Sequence, residues 1–287
     1  MKRTILKTMK GAIIIIHVPL TYIWKNLDMK LSWPDFWPVF KNVPHKIFGG
    51  VGGDSYTGWV YQSGYFAALL KAYSKKKSAN RILDFGCGYG KMAFPASSLI
   101  NNGGKYIGVD IIDDVIDYGN KVYAKNGNYI FHLSKDFNLR YNKNNIETSY
   151  GLDWPIEDKE IDIVTAVSVF THLREEDAIG YINKIHNVLK KEGIAILTFH
   201  ILTDEKNRPR YKTRMMPFLL DLFSFRHKLS DHWYTSDEKV PETAIGITHD
   251  GIKRLIHGKF EIKKQINGST TGGEDLFPQD ILILEKL

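Results

Sequence analysis

Arg81-Ile-Leu-Asp-Phe-Gly-Cys-Gly-Tyr-Gly-Lys91 decides how the rest of the chain is read. Ile82, Leu83 and Phe85 form an apolar run short enough for a buried strand. Gly86, Gly88 and Gly90 then alternate, and an apolar stretch from Met92 to Ile100 begins with helical spacing. A strand that turns through glycines into a helix opens a nucleotide-binding α/β unit. Residues without a Cβ reach positive φ and let a ligand lie against the backbone. The helix behind them points its first amides at that ligand.

Spacing narrows the ligand. A dinucleotide turn reads G-x-G-x-x-G, which from Gly86 asks for glycine at position 91, where Lys91 stands. The pattern is instead acid-x-G-x-G-x-G, with Asp84 two residues before the first glycine. A carboxylate there suits a cationic amino group better than a pyrophosphate. In this form the stretch resembles the first motif of class I S-adenosylmethionine-dependent methyltransferases. The resemblance implies an α/β, Rossmann-like fold: a doubly wound, seven-stranded, mostly parallel sheet with helices on both faces. It implies S-adenosyl-L-methionine as cofactor, with Asp84 and the turn of Gly86, Cys87, Gly88 and Gly90 holding the methionine portion. Cys87 is the single cysteine, so no internal disulfide forms and a reducing compartment is allowed.

Lys105 to Asp110 reads as a second buried strand ending in a carboxylate, twenty residues beyond Gly90. An acid at that place hydrogen-bonds ribose hydroxyls in doubly wound folds, so Asp110 is assigned to ribose, with Ile111 near the adenosine. Asp113 and Asp114 open the following helix, to about Lys125. Asn128 to Leu133 is a third strand. The resemblance places an acid after it against the adenine amino group, and Asp136 with Phe137 is the candidate.

Ile161 to Val167 is a fourth strand, and its run-in (Pro155, Asp158, Asp162) resembles that of small-molecule methyltransferases. Ser168-Val-Phe-Thr-His-Leu173 follows and resembles a segment of one methyltransferase group. It lies at the carboxyl end of a central strand, where open α/β sheets bind ligands. Ser168 is counted with the cofactor-binding residues. His172 is a candidate general base for a hydroxyl acceptor, beside the alternative of a packing or capping histidine. The segment lacks the Asn/Asp-Pro-Pro-Tyr/Phe pattern of amino-methylating DNA enzymes, so no nucleic-acid partner is expected. His227, Asp231 and His232 are too weak a pattern for metal, and no metal site is expected.

Glu175 to Lys191 has helical periodicity, and Ile194 to Phe199 reads as a fifth strand. The pair resembles the family's "LKPGG-strand" element, with Lys191-Glu192 in place of proline-glycine. Thr203 to Gly246 has no strong period; 203–247 is read as a cap insertion after strand five, its Arg208, Arg210, Lys212 and Arg214 suited to an anionic substrate or a membrane face. Thr248 to Gly258 reads as a helix, then Lys259 to Ile266 and Gln279 to Glu285 as two antiparallel-leaning strands. The ending Gln279-Asp-Ile-Leu-Ile-Leu-Glu-Lys286 resembles the terminal strand of a bacterial methyltransferase group acting on small molecules and glycans.

The chain has 287 residues, 43% of them hydrophobic, with a net charge of +7. That charge favours acidic partners, or is simply a lysine-rich surface. Residues 1–58 are read as an N-terminal extension and lid, and 59–287 as the methyltransferase domain. Lys2, Arg3, Lys7 and Lys10 precede an apolar run from Ala12 to Trp24, interrupted by His17 and Pro19. A spanning helix needs ~20 apolar residues, so this run is too short to cross a bilayer. Residues 1–30 can instead lie on a membrane surface, or pack on the core. The expectation is a cytoplasmic enzyme, its membrane association left open, that O-methylates a small molecule, sugar or glycan. The alternatives are methylation of lipid or protein at a membrane and a non-catalytic cofactor-binding module; the acceptor atom and the oligomeric state are left open.

Overall fold

The computed structural model describes residues 56–136, 138, 150–151, 153–202, 224–269 and 277–287. Residues 1–55, Phe137 and 203–223 lie outside them, and with them nearly all of the expected extension and much of the cap insertion.

The main sheet contains β1 (Arg81–Phe85), β2 (Lys105–Asp110), β3 (Tyr129–Leu133), β4 (Ile161–Ala166), β5 (Leu189–Phe199), β10 (Phe260–Ile266) and β11 (Asp280–Lys286). Its seven strands run in the order β10-β11-β5-β4-β1-β2-β3. The pairs from β3 through β5 are parallel, and β11 is antiparallel to both β5 and β10. Only β11 is therefore reversed; β10, expected to lean antiparallel, runs with the parallel strands. The chain winds outward from β1 through β2 to β3, then returns to the other side of β1 as β4. That reversal makes the β1/β4 boundary the switch point, where a crevice opens at the strands' carboxyl ends.

Helices α1 (Tyr56–Tyr73), α2 (Ala93–Ala96), α3 (Asp113–Val122), α4 (Glu175–Val188) and α5 (His249–Ile256) accompany the sheet. The apolar stretch after the glycine turn gives only the four-residue α2, with looser turns on either side. The core explains the continuous apolar strands. Leu83, Phe85, Val164, Ala166 and Leu197 pack with Tyr181, Ile182 and Ile185 of α4, all of them buried. Each buried Leu, Ile, Val or Phe side chain among them contributes roughly 1.5–3 kcal/mol by leaving water.

The α4–β5 junction departs from the family pattern in sequence but not in shape. Glu192, standing where the motif has glycine, adopts φ 58°. The backbone there needs the left-handed region, and here a non-glycine residue occupies it. Lys286 at the end of β11 donates to the carbonyls of His186 and Leu189, closing the carboxyl end of α4.

A second sheet stands beside the first: β6 (Ile201–Leu202), β7 (His227–Lys228), β8 (Trp233–Thr235) and β9 (Ile245–Thr248), in the order β6-β9-β8-β7. The stretch read as an insertion without period thus holds three strands. They run for two to four residues, too short for alternation to show in sequence.

Candidate functional site

At the carboxyl ends of β1 and β2, Gly86, Gly88 and Gly90 take φ values of 70°, 51° and 81°. The amides of Gly86 and Cys87 donate to the Val109 carbonyl at 2.8 and 3.1 Å, so the turn is tied to β2. A Cβ on Gly86 would stand 2.4 Å from Cγ2 of Val169, just beyond β4. The two turns at the switch point therefore touch.

Asp110 organises this corner. One carboxylate oxygen accepts from the Gly88 amide at 2.9 Å; the other accepts from Ile111 and Ile112 at 2.8 and 3.2 Å. Burial pushes its pKa up, and the three amides oppose that shift. Asp110 thus serves the start of α3 by accepting the Ile112 amide, while Asp113 and Asp114 supply negative charge to its first turn.

Asp84 lies deeper than its motif suggests. It is 1% exposed, its Oδ2 accepting from the Tyr106 hydroxyl at 2.5 Å and its Oδ1 from Thr165 at 2.7 Å. Burial lifts its pKa to about 7, with both hydroxyls opposing, Asp110 reinforcing the shift and Lys91 opposing it. Lys91 is lowered to about 8 by burial, with Asp84 opposing. Sequence reasoning missed Tyr106 and Thr165, because their approach is set by strand register: Asp84 pairs with Thr165 on one side and Gly108 on the other.

Asp136 is buried just beyond β3. Ser134 donates to it at 2.8 Å, and the Tyr181 hydroxyl of α4 also bonds it. The Ser134 amide donates to the Asp110 carbonyl at 2.8 Å, so the segment of Asp136 and the segment of Asp110 and Ile111 lie side by side. Asp84, Gly86, Cys87, Gly88, Gly90, Asp110, Ile111 and Asp136 are therefore gathered along one end of the sheet.

Beyond β4, Ser168 takes φ 60°, and a short 3-10 turn, Phe170–His172, follows. His172 Nδ1 lies 2.8 Å from the Glu242 carbonyl, on a second 3-10 turn, Pro241–Thr243. The Glu242 carboxylate meets Arg174 Nε at 2.7 Å. His200, immediately after β5, is buried, and its pKa falls to about 3 through burial, with His172 adding to the shift. His200 and Glu242 were not anticipated. The only sequence signal for His200 was its place directly after a buried strand, while Glu242 reaches the site through the second sheet. The weaker metal candidates are engaged elsewhere: His232 Nδ1 is 2.9 Å from Thr248 Oγ1, His227 Nδ1 is 3.7 Å from Glu238, and Asp231 accepts from Lys228 at 3.0 Å. Among the described residues no three His, Cys, Asp or Glu side chains are grouped to hold a metal.

The donor set fits S-adenosylmethionine. Two buried carboxylates, Asp84 and Asp110, flank a turn whose three glycines carry no side chains. A cationic ligand brought near Asp84 favours its charged form over the protonated one that burial favours.

Residues 83–197, from β1 through the heart of β5, match the family described as methyltransferase domain. Among solved structures, the PH0226 protein of Pyrococcus horikoshii is similar at 18% identity and a TM-score of 0.53, over 84% of this chain and 97% of that one. A SAM-dependent methyltransferase from Methanosarcina mazei is similar at 18% identity and a TM-score of 0.50, over 76% and 97%. At these identities the two structures speak for the fold.

Proposed function

We propose that this chain, an S-adenosylmethionine-dependent methyltransferase by its domain over residues 83–197, methylates a hydroxyl of a small molecule, sugar or glycan. The observation that carries the reading is the hydrogen bond between His172 and the Glu242 carbonyl, at 2.8 Å. A carbonyl only accepts, so in the neutral ring Nδ1 holds the proton and Nε2 is the basic nitrogen. That tautomer suits a general base for a hydroxyl, a group that needs help to lose its proton.

When bound, S-adenosylmethionine supplies a methyl group already activated on a sulfonium. Asp84 and the turn of Gly86, Cys87, Gly88 and Gly90 would hold its methionine portion, Asp110 and Ile111 its ribose and adenosine, and Asp136 its adenine. Phe137, outside the described residues, and Ser168 complete the proposed set. What the chain itself contributes is alignment and exclusion of water. His172 would take the acceptor's proton, while Glu242 fixes its ring.

Release of S-adenosylhomocysteine over a panel of sugars, glycans, phenols and small alcohols tests the assignment. Turnover only with amines or nucleic acid would overturn it.

The second reading, methylation of lipid or protein at a membrane surface, draws on the basic-apolar segment of residues 1–30. Among the described residues no helix is long and apolar enough to cross a membrane. Liposome flotation with and without residues 1–30 decides it; equal flotation removes its support.

A further inference from the structure

The terminal strand β11 opens with Asp280, and Gln279 stands just before it; the side chains of both reach segments at the ends of other strands. Asp280 accepts from the Ile201 amide at 2.7 Å and from Gly268 at 2.9 Å. Gln279 does something less expected. Its Nε2 donates to Ser168 Oγ at 2.9 Å, its Oε1 accepts from Thr198 Oγ1 at 2.6 Å, and Thr198 Oγ1 in turn accepts from the Ser168 amide at 2.7 Å. The three residues close a ring between the lead-in to β11, the end of β5 and the turn after β4.

Ser168 is where that ring acts. Its φ of 60° is a conformation that a side chain disfavours, and such residues persist only where their surroundings hold them. Here the surroundings hold both the Ser168 amide and its hydroxyl. Four residues later stands His172, and one residue later Val169, whose side chain closes on Gly86. The direction in which the chain leaves β4 therefore fixes both the reactive histidine and one wall of the glycine turn.

We propose that Gln279 is a positioning residue: through Thr198 and Ser168 it holds the segment 168–172 in the shape that the cofactor and acceptor sites require. The proposal rests on the reading of that segment as part of the reactive site. It also gives Gln279, the residue just before β11, a role that strand pairing does not supply, since the pairing with β5 starts at Asp280.

The test is a double-mutant cycle of Gln279→Ala and Ser168→Gly, read by two methods that need no acceptor. Hydrogen–deuterium exchange follows the amides of 168–172 in the cofactor-free protein, and calorimetry follows S-adenosylmethionine binding. Gln279→Ala is expected to speed exchange in that segment and to weaken the cofactor about tenfold, the scale of one lost hydrogen bond. In the Ser168→Gly background, where positive φ is easily reached, the same substitution should cost clearly less. Should Gln279→Ala fail to fold, Thr198→Val breaks the same ring with a side chain of equal shape and should give the same pattern. Unchanged exchange and affinity, or an equal cost in both backgrounds, overturns the proposal. A wild-type chain that bound no cofactor would instead overturn the cofactor site, while the exchange measurement would still decide the role of Gln279.

Discussion

His172 Nδ1 and the Glu242 carbonyl are 2.8 Å apart, although the residues are seventy positions apart and belong to different sheets' connections. One belongs to the turn after β4, and the other to the turn between β8 and β9. The hydrogen bond orients the imidazole from a segment that the family match over 83–197 does not include.

If His172 is the base, His172→Ala should lower turnover by ~10²-fold or more while leaving cofactor affinity unchanged. Single-turnover kinetics with calorimetry of cofactor binding checks both halves. Full turnover in the variant would assign His172 to packing.

Asp84 makes stability depend on pH in a defined window. In the folded chain it keeps its proton up to about pH 7, against an ordinary value of 3.8. Between those values the folded state binds a proton that the unfolded chain has released, so stability falls as pH rises. The contribution is whole below about 3.8 and gone above about 7. Asp84→Asn, which keeps the neutral shape, should flatten thermal stability across that window.

Cofactor binding should report on the same carboxylate. An ammonium brought near Asp84 favours its charged form, so near pH 7 binding should release a fraction of a proton. Calorimetry in buffers of different ionisation enthalpy measures this directly. No proton release between about pH 6 and 8 would separate Asp84 from the methionine amino group.

Gly86→Ala should abolish cofactor binding and destabilise the chain by roughly 1–3 kcal/mol. Its φ of 70° disfavours a side chain, and the new Cβ would stand 2.4 Å from Val169. Adding Val169→Ala relieves the clash but not the backbone strain, so recovery in thermal denaturation should be partial. Complete recovery would show that contact alone matters.

Lys286→Met offers the opposite profile. It leaves the carbonyls of His186 and Leu189 without their buried donor, a loss of roughly 1–3 kcal/mol. Cofactor affinity should not change, because those carbonyls close α4 at the far end from the glycine turn. Denaturant unfolding and calorimetry on one preparation suffice.

The strands and the glycine turn were legible in the sequence because their causes are local. Apolar runs of five or six residues mark buried strands wherever they occur, and Gly86, Gly88 and Gly90 mark a turn through positive φ whatever surrounds them. The acids at 84, 110 and 136 could be singled out for the same reason, as each ends a strand or follows one. Short strands could not: β7, β8 and β9 exist because they pair with one another and with β6, not because of their own pattern.

What only the tertiary structure decided is who touches whom. Asp84 is capped by Tyr106 and Thr165 because parallel register brings β2 and β4 to its two sides. His172 is oriented by Glu242, and Ser168 is held by Gln279 from just before the last strand, over separations of 70 and 111 positions. Local sequence determines which backbone shapes are cheap. The hydrogen bonds that make a site depend on which distant segments the packing of the whole sheet sets side by side.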